Sequence, residues 1–93
     1  MNTTSIYSWY KRVTNLVSKN IDKLNTSEYT VEVSFMGSVI EKYRCIKMTV
    51  FRHIDDNCEI VHRISICNYL EEKENKKSFK DFKNFLENIE TLF

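Results

Sequence analysis

The sequence predicts an α+β fold: an α-β-β-β-α two-layer domain with a three-stranded antiparallel sheet and both helices on one face. Three observations lead to this prediction. Apolar residues recur at three-and-four spacing near both ends of the chain, and they alternate with polar residues in between. Each amphipathic helix also needs an apolar surface to cover, which a one-sided sheet supplies. The 93 residues, 42% of them hydrophobic, are expected to form a single domain over residues 1–93.

The first segment is predicted to be one helix over about residues 4–25. It follows a Thr/Ser-rich start that suits a helix N-terminus, and Asn25 suits a left-handed stop. Its apolar stripe consists of Ile6, Trp9, Tyr10, Val13, Leu16, Val17, Ile21 and Leu24.

Three strands are predicted next, over about residues 29–36, 43–54 and 58–69. The first, EYTVEVSF, alternates apolar and polar residues as a half-buried strand does. Gly37 and Ser38 mark a turn, and the conformation of residues 39–42 is left open. We expect residues 55–57 to form a three-residue hairpin loop with Asn57 in the left-handed position.

This loop places Ile54 opposite Cys58 and sorts the last two strands onto two faces. The apolar face pairs Ile46 with Ile66, Met48 with Ile64, and Val50 with His62. The mixed face pairs Cys45 with Cys67, Lys47 with Ser65, Thr49 with Arg63, Phe51 with Val61, and His53 with Glu59. The helices are expected to cover the apolar face and to leave the mixed face open.

The last helix is predicted over about residues 78–92. Ser78 supplies a capping hydroxyl and Asp81 the returning carboxylate of a capping box. The preceding run EEKENKK is interpreted as a solvated charge run. The buried stripe of this helix consists of Phe79, Phe82, Phe85, Leu86, Ile89 and Leu92.

Composition narrows the classes of function. With 14 basic and 13 acidic residues the chain lacks the basic excess typical of nucleic-acid binders. No apolar run is long enough to span a membrane and the N-terminus lacks a secretory signal, so we expect a cytoplasmic protein without membrane contact. The absence of Ala, Pro and Gln is typical of AT-rich genomes and points to a low-GC bacterium, its phage or another mobile element; a phage protein would act in the cytoplasm of the host cell.

Neither catalysis nor metal binding is predicted. The chain has no nucleophile motif and no glycine-rich phosphate loop, so we expect no enzyme activity and no cofactor. Cys45, Cys58 and Cys67 are odd in number and lack the spacing of a zinc module, which favours reduced thiols. The predicted register points Cys58 and His62 inward and Cys45, Cys67 and His53 outward, so these side chains do not converge on one metal site. His62 is expected to be a hydrogen-bonded residue at the core edge.

The element order and the stretch NKKSFK resemble the double-stranded RNA-binding domain family. Lys76, Lys77 and Lys80 match the family's Lys-Lys-x-x-Lys cluster, and the resemblance implies that they grip phosphates across the RNA major groove. Tyr29 and Gly37 also match the family's first strand and the loop after it. The family's Gly-Pro-x-His loop reads GSVI here, and phenylalanines replace the alanines of its second helix.

The stretch EYTVEVSFMG, with the same topology, also resembles small anti-CRISPR proteins of phages and mobile elements. One of these inhibitors has a helix, three antiparallel strands and a helix, with a similar YTV start to its first strand. That inhibitor is acidic and imitates nucleic acid, whereas this chain is balanced in charge, so DNA mimicry is not implied. The resemblance implies a non-enzymatic inhibitor that binds a host or defence-system protein.

Two hypotheses of function remain. The first is a protein-binding inhibitor that blocks a host defence protein such as a CRISPR effector nuclease. Its contact residues would be side chains that the core does not need, namely Phe51, Val61, Arg63, His53 and Lys47 on the mixed face, with Tyr43 near its edge. The alternative is a small double-stranded RNA-binding domain that uses Lys76, Lys77 and Lys80, or these lysines are only a solvated charge run. The target and the oligomeric state are left open.

Overall fold

The computed structural model describes residues 5–26, 28–37 and 43–89. The elements are α1 (Ile6–Lys19), α2 (Ile21–Thr26), β1 (Tyr29–Met36), β2 (Cys45–Ile54), β3 (Asn57–Cys67) and α3 (Glu72–Glu87). The strands form one antiparallel sheet in the order β1-β2-β3. The predicted architecture of helices over one face of a three-stranded sheet is confirmed. The predicted helical residues 4 and 90–92 and the ambiguous residues 39–42 lie outside the described residues.

The core lies between the helices and one face of the sheet. Every second residue of β2 from Ile46 to Val50 has no exposed surface, as the predicted alternation requires. The other fully buried side chains come from the neighbouring elements: Trp9 and Val13 of α1, Ile66 of β3, and Phe82 and Leu86 of α3. Burying one such side chain stabilises the fold by about 1.5–3 kcal/mol relative to leaving it in water.

The prediction of one continuous first helix is wrong. Ser5 caps α1, its Oγ accepting a hydrogen bond from the Ser8 N–H at 3.2 Å. The helix ends at Lys19, and the side-chain amide of the C-cap residue Asn20 donates to the Leu16 carbonyl at 2.9 Å. An asparagine that bonds its own helix competes with the backbone ladder, so α2 begins as a separate short helix. Asn25 lies within α2, and the left-handed residue that follows is Glu28, with φ 61°.

An aromatic contact fixes α1 against β1. The Phe35 ring stacks on Tyr7, with ring centroids 5.6 Å apart, and meets Tyr10 edge-on at 5.8 Å. These two tyrosines lie on the same side of α1, three residues apart. The opposite side of the helix, which carries Arg12, therefore turns towards α3.

Gly37 follows the last residue of β1, at the position of the predicted turn. Its φ is 113°, and a Cβ there would lie 2.7 Å from the Tyr43 carbonyl oxygen. Only glycine combines this backbone angle with so close an approach. Ser38, the second predicted turn residue, lies outside the described residues.

The β2–β3 hairpin has a two-residue turn in place of the predicted three-residue loop. Ile54 pairs with Asn57 and not with Cys58. The left-handed residue is Asp55, with φ 54°, and not Asn57. Aspartate tolerates this region because its short side chain bonds the backbone locally.

The pairing of β2 with β3 shifts by one residue between Val50 and Phe51, so the wrong loop length affects only the predicted pairs nearest the turn. A bulge inserts one extra residue into one strand, and here Val61 has no cross-strand partner. Between the start of β2 and the bulge, the predicted pairs are confirmed: Cys45–Cys67, Ile46–Ile66, Lys47–Ser65, Met48–Ile64, Thr49–Arg63 and Val50–His62. Between the bulge and the hairpin turn, the pairing is shifted by one residue from the prediction: Phe51–Ile60, Arg52–Glu59 and His53–Cys58.

Helix α3 begins at Glu72, well before the predicted start at Ser78. Its capping box is formed by Glu71 and Glu74, with the Glu71 N–H donating to Glu74 Oε2 at 3.1 Å. Acidic side chains in a first turn are also stabilised by the helix dipole. The stretch interpreted as a solvated charge run is therefore largely helical, and Ser78 lies inside the helix.

Asn75 anchors α3 to the edge of β3. It is 3% exposed, its Oδ1 accepts from the Cys67 N–H at 3.2 Å, and its Nδ2 donates to the Cys67 carbonyl at 2.8 Å. The side chain thus satisfies both backbone groups on the open edge of the strand. Since these groups point away from β2, Cys45 and Cys67 form a non-hydrogen-bonded cross-strand pair, in which side chains lie close together.

Asn75→Ala should lower the free energy of unfolding by about 1–3 kcal/mol, because the buried Cys67 N–H loses its acceptor. The Cys67 carbonyl retains a hydrogen bond from the Leu70 N–H, at 3.2 Å. Urea denaturation measures the loss, and Lys76→Ala is the matched control because Lys76 is the exposed neighbour. An equal change in the two variants would contradict the anchoring role of Asn75.

Candidate functional site

The side of the sheet opposite the helices, here called the open sheet face, carries most of the predicted contact residues. Strand alternation places the side chains of Lys47, Thr49, Phe51 and His53 of β2 on this side. The described helices pack on the other face, against Ile46, Met48, Val50 and Ile66. The open sheet face is therefore not covered by any helix within the described ranges.

An apolar pair lies towards the hairpin end of the open sheet face. Phe51 and Ile60 are direct cross-strand partners. Phe51 is half-buried, while Ile60 is 49% exposed. Ile60 was missed by the sequence interpretation, which placed Val61 opposite Phe51. That prediction is wrong, because the bulge turns Val61 towards the core cluster, against which it packs.

Cationic side chains lie beside this apolar pair. Arg63 is exposed and is the cross-strand partner of Thr49. Thr49 lies two residues before Phe51, on the same face of β2. Lys47 is half-buried and faces Ser34 on one side and Ser65 on the other. Neither cation forms an ion pair with another described residue, so both charges remain available to a carboxylate of a partner.

His53 lies next to the apolar pair, near the hairpin turn. Its side chain is exposed, and its Nε2 lies 2.6 Å from the Thr30 Oγ1. This hydrogen bond joins β1 to β2 on the open sheet face and holds the imidazole ring in one orientation. The prediction that His53 belongs to this face therefore agrees with its position.

Tyr43 lies apart from the other predicted contact residues. It is 66% exposed and packs edge-on against Tyr69, with ring centroids 5.2 Å apart. Tyr69 Oη is 3.6 Å from Cys45 Sγ, which places the tyrosine pair at the start of β2. Cys45 and Phe51 are six positions apart on the strand, or about 20 Å. The predicted set therefore forms two clusters on one surface.

The cysteines differ in exposure along the hairpin. Cys58 is exposed, Cys45 is half-buried and Cys67 is buried, and all three are free thiols. The prediction that Cys58 points inward is wrong, because the shifted register places it opposite His53. Burial, with a contribution from the neighbouring Cys45 thiol, raises the pKa of Cys67 to about 11.

His62 belongs to the helix-covered side. Its ring stacks on Phe85, with centroids 4.5 Å apart and planes 13° from parallel. Its Nε2 is buried and has no hydrogen-bond partner among the described residues, contrary to the prediction of a hydrogen-bonded histidine. Burial lowers the pKa of His62, and the negative charge of Asp81 acts in the opposite direction.

The lysines of the RNA hypothesis are exposed on α3. Lys76, Lys77 and Lys80 lie in the interior of the helix and not at its start. The start itself is acidic, since Glu71 caps the helix and Glu72 lies in its first turn. Phosphates approaching that end of α3 would meet carboxylates, so the N-terminal amides give the lysines no help.

No three His, Cys, Asp or Glu side chains within residues 5–26, 28–37 and 43–89 come together as a potential metal site.

None of the helices in the described part of the chain has both the length and the apolar character needed to cross a bilayer.

Lowering the pH from about 7.5 to about 5.5 should destabilise the fold through His62. Its folded-state pKa lies below the ordinary value of 6.5, so the unfolded chain binds more protons in this window. Neutral His62 makes its full contribution to the free energy of unfolding at pH values above 6.5. This contribution is lost as the pH falls through the folded-state pKa. His62→Phe should flatten the pH dependence of urea unfolding. His53→Phe, which changes the other histidine, is the control, and an equal loss of slope in both variants would refute the assignment.

Native thiol reactivity at pH 8 should follow exposure, with Cys58 reacting first, Cys45 more slowly and Cys67 only after unfolding. A pKa of about 11 leaves about a thousandth of the Cys67 thiol ionised at this pH. Stopped-flow labelling with a chromogenic disulfide reagent measures the phases. Cys58→Ser should remove the fast phase alone, and a fast phase that persists in this variant would contradict the register of the hairpin.

Comparison with known proteins gives no match: no protein-family model, no curated protein and no solved structure matches the chain.

Proposed function

We propose that the chain is a non-enzymatic protein-binding inhibitor that docks on its partner through the open sheet face. The observation that supports this proposal is the pair Phe51–Ile60, which leaves an aliphatic side chain half exposed beside an aromatic ring. The core does not need this pair, because the helices cover the opposite face of the sheet. Apolar side chains spared from the core and grouped on a surface mark interaction sites.

The chemistry of the open sheet face suits an interface centre. Binding energy concentrates in a few desolvated aromatic and arginine side chains surrounded by weaker contacts. Phe51 is already half-buried among its neighbours, so it loses little side-chain freedom on docking. Arg63 lies beside it without a described ion pair, and its guanidinium could bind a partner carboxylate through two hydrogen bonds.

The size of the sheet indicates that the interface extends beyond it. Strand β2 has 10 residues, and three strands of such length cover roughly 30 by 15 Å, or about 450 Å². A standard interface buries about 800 Å² on each partner. The exposed pair Tyr43 and Tyr69, at the other end of the same strands, is the natural extension of the contact.

The class of partner comes from the sequence resemblance. Small inhibitors of phages and mobile elements act on host defence proteins, and a CRISPR effector nuclease in the host cytoplasm is the first target to examine. The nearly neutral chain, with a net charge of +1, does not favour imitation of nucleic acid. Docking by apolar contact with a flanking arginine agrees better with this charge.

Double-stranded RNA binding is the second candidate, supported by the exposure of Lys76, Lys77 and Lys80 on one helix. Salt separates the two candidates, because phosphate contacts release counterions whereas apolar interfaces do not. RNA binding should weaken steeply between about 50 and 200 mM salt. Docking through Phe51 should change little over the same range.

Phe51→Ala and Arg63→Ala should each weaken the partner complex by about 1–3 kcal/mol, or roughly 5- to 150-fold in Kd. Purified CRISPR effector nucleases with their guide RNAs are the first partners to test. Surface plasmon resonance measures the Kd, and a DNA-cleavage assay measures the inhibition. Lys77→Ala is the control, since it removes an exposed charge far from the open sheet face. All three variants should remain folded by circular dichroism.

A triple change of Lys76, Lys77 and Lys80 to glutamate completes the test. It should leave protein docking largely intact but abolish RNA binding, because three attractions to phosphate become repulsions. If the triple variant is inactive while Phe51→Ala and Arg63→Ala retain full activity, the sheet-face proposal fails.

A further inference from the structure

A cavity of about 400 Å³ lies between α1 and α3, apart from the open sheet face. Helix α1 contributes Arg12, Asn15, Leu16 and Lys19, and α3 contributes Phe79 and Lys83. Spacings of three and four residues bring these side chains onto the facing sides of the two helices. The wall of this cavity, here called the α1–α3 groove, thus combines three cations, one amide and two apolar side chains.

The base of the groove is anchored in the core. Leu16 is 7% exposed and belongs to the core cluster, against which Phe79 packs. Trp9, which is 2% exposed, lies next to Phe79 with ring centroids 5.5 Å apart. The Arg12 guanidinium carbon lies 4.9 Å from the centre of the Trp9 ring. A cation–π contact of this kind holds the guanidinium in place before any ligand arrives.

The side chains that line the groove carry positive charge and no negative charge. Arg12, Lys19 and Lys83 converge on one cavity whose described lining contains no carboxylate. Lys83 has a side contact with Glu87 at 3.9 Å, but both side chains are half exposed, and such pairs contribute little. All three cations are exposed, and a bound anion would be attracted by their combined positive charge.

We propose that the α1–α3 groove binds a small phosphorylated molecule with a flat apolar part, the chemistry of a nucleotide. The volume lies within the range of small-molecule sites. A guanidinium grips phosphate oxygens through two parallel hydrogen bonds, and Lys19 and Lys83 add point charges for further phosphate oxygens. The half-buried Phe79 offers most of the apolar surface for a planar ring, since Leu16 is only 7% exposed.

The proposal is independent of docking through the open sheet face, because the two surfaces share no residue. Asn15 gives the groove its polar selectivity, since a side-chain amide can both donate to and accept from a ring or a sugar. A free phosphate would use the cations alone. A nucleotide would use the cations, the amide and the apolar base together, and should therefore bind more tightly than either of its parts.

Titration with ATP at low salt tests the proposal, with the fluorescence of Trp9, the single tryptophan of the chain, and calorimetry as readouts. Pyrophosphate and adenosine are the separate parts of the ligand and should each bind more weakly than ATP. Bound ATP should also raise the melting temperature by mass action. Phe51→Ala, on the open sheet face, should bind ATP as the wild type does.

Arg12→Gln and Lys83→Gln should each weaken ATP binding by about 10-fold or more, since each removes a charge-assisted hydrogen bond. The matched controls are Lys11→Gln and Lys77→Gln, which make the same change of charge on the same helices at exposed positions outside the cavity lining. They should change the affinity less than about twofold. Asn15→Asp places a carboxylate in the groove without changing the size of the side chain, and it should abolish ATP binding. This variant tests the site even if one of the other variants does not fold.

Three results would overturn the proposal. The first is that neither ATP nor pyrophosphate binds at millimolar concentration by either readout. The second is that the control variants at Lys11 and Lys77 lose as much affinity as those at Arg12 and Lys83, which would indicate general attraction to a basic surface. The third is that an RNA duplex binds while ATP does not, which would assign these cations to a nucleic-acid backbone.

Discussion

The burial of alternate side chains of β2 under the helices is the constraint on which the rest of the structure depends. Ile46, Met48 and Val50 have no exposed surface, so the central strand can present only the intervening residues to solvent. The two-residue turn at the hairpin tip demands a pairing that differs by one residue from the pairing under the helices. The bulge beside Val50 reconciles them, and it thereby decides that Ile60 and not Val61 reaches the open sheet face.

The sequence predicts the β2–β3 register wherever the apolar and polar pattern shows clearly which residues face the core. Between Cys45 and Val50 a slip would expose isoleucine and methionine, so the pattern alone determined the register. Beyond Val50 the pattern weakens, because Ile60 and Val61 are consecutive and both apolar. Either could face Phe51, and the choice depends on turn geometry, which two aspartates and an asparagine leave open.

Helix boundaries depended on contacts that local patterns do not contain. Lysine and glutamate are good helix formers, so a charged run such as the one before Ser78 is compatible with both helix and loop. The structure extends α3 through it because Glu71 and Glu74 cap the helix and Asn75 bonds the backbone of Cys67. The last of these is a tertiary contact. It explains a buried asparagine that an apolar-stripe analysis cannot place.

The net charge of +1 could not predict the α1–α3 groove, because it does not record which side chains the fold brings together. Glu71, Glu72 and Glu74 at the start of α3, and Asp55, Asp56 and Glu59 at the hairpin tip, offset part of the positive charge of the chain at places outside the groove lining. Arg12 and Lys19 lie seven residues apart on α1, and only the docking of α3 brings Lys83 to them. Because Leu16 and Phe79 join the groove to the core, an anion bound there would hold the two helices together. It would thus stabilise the helix layer while leaving Phe51 and Ile60, on the far side of the sheet, free to contact a protein.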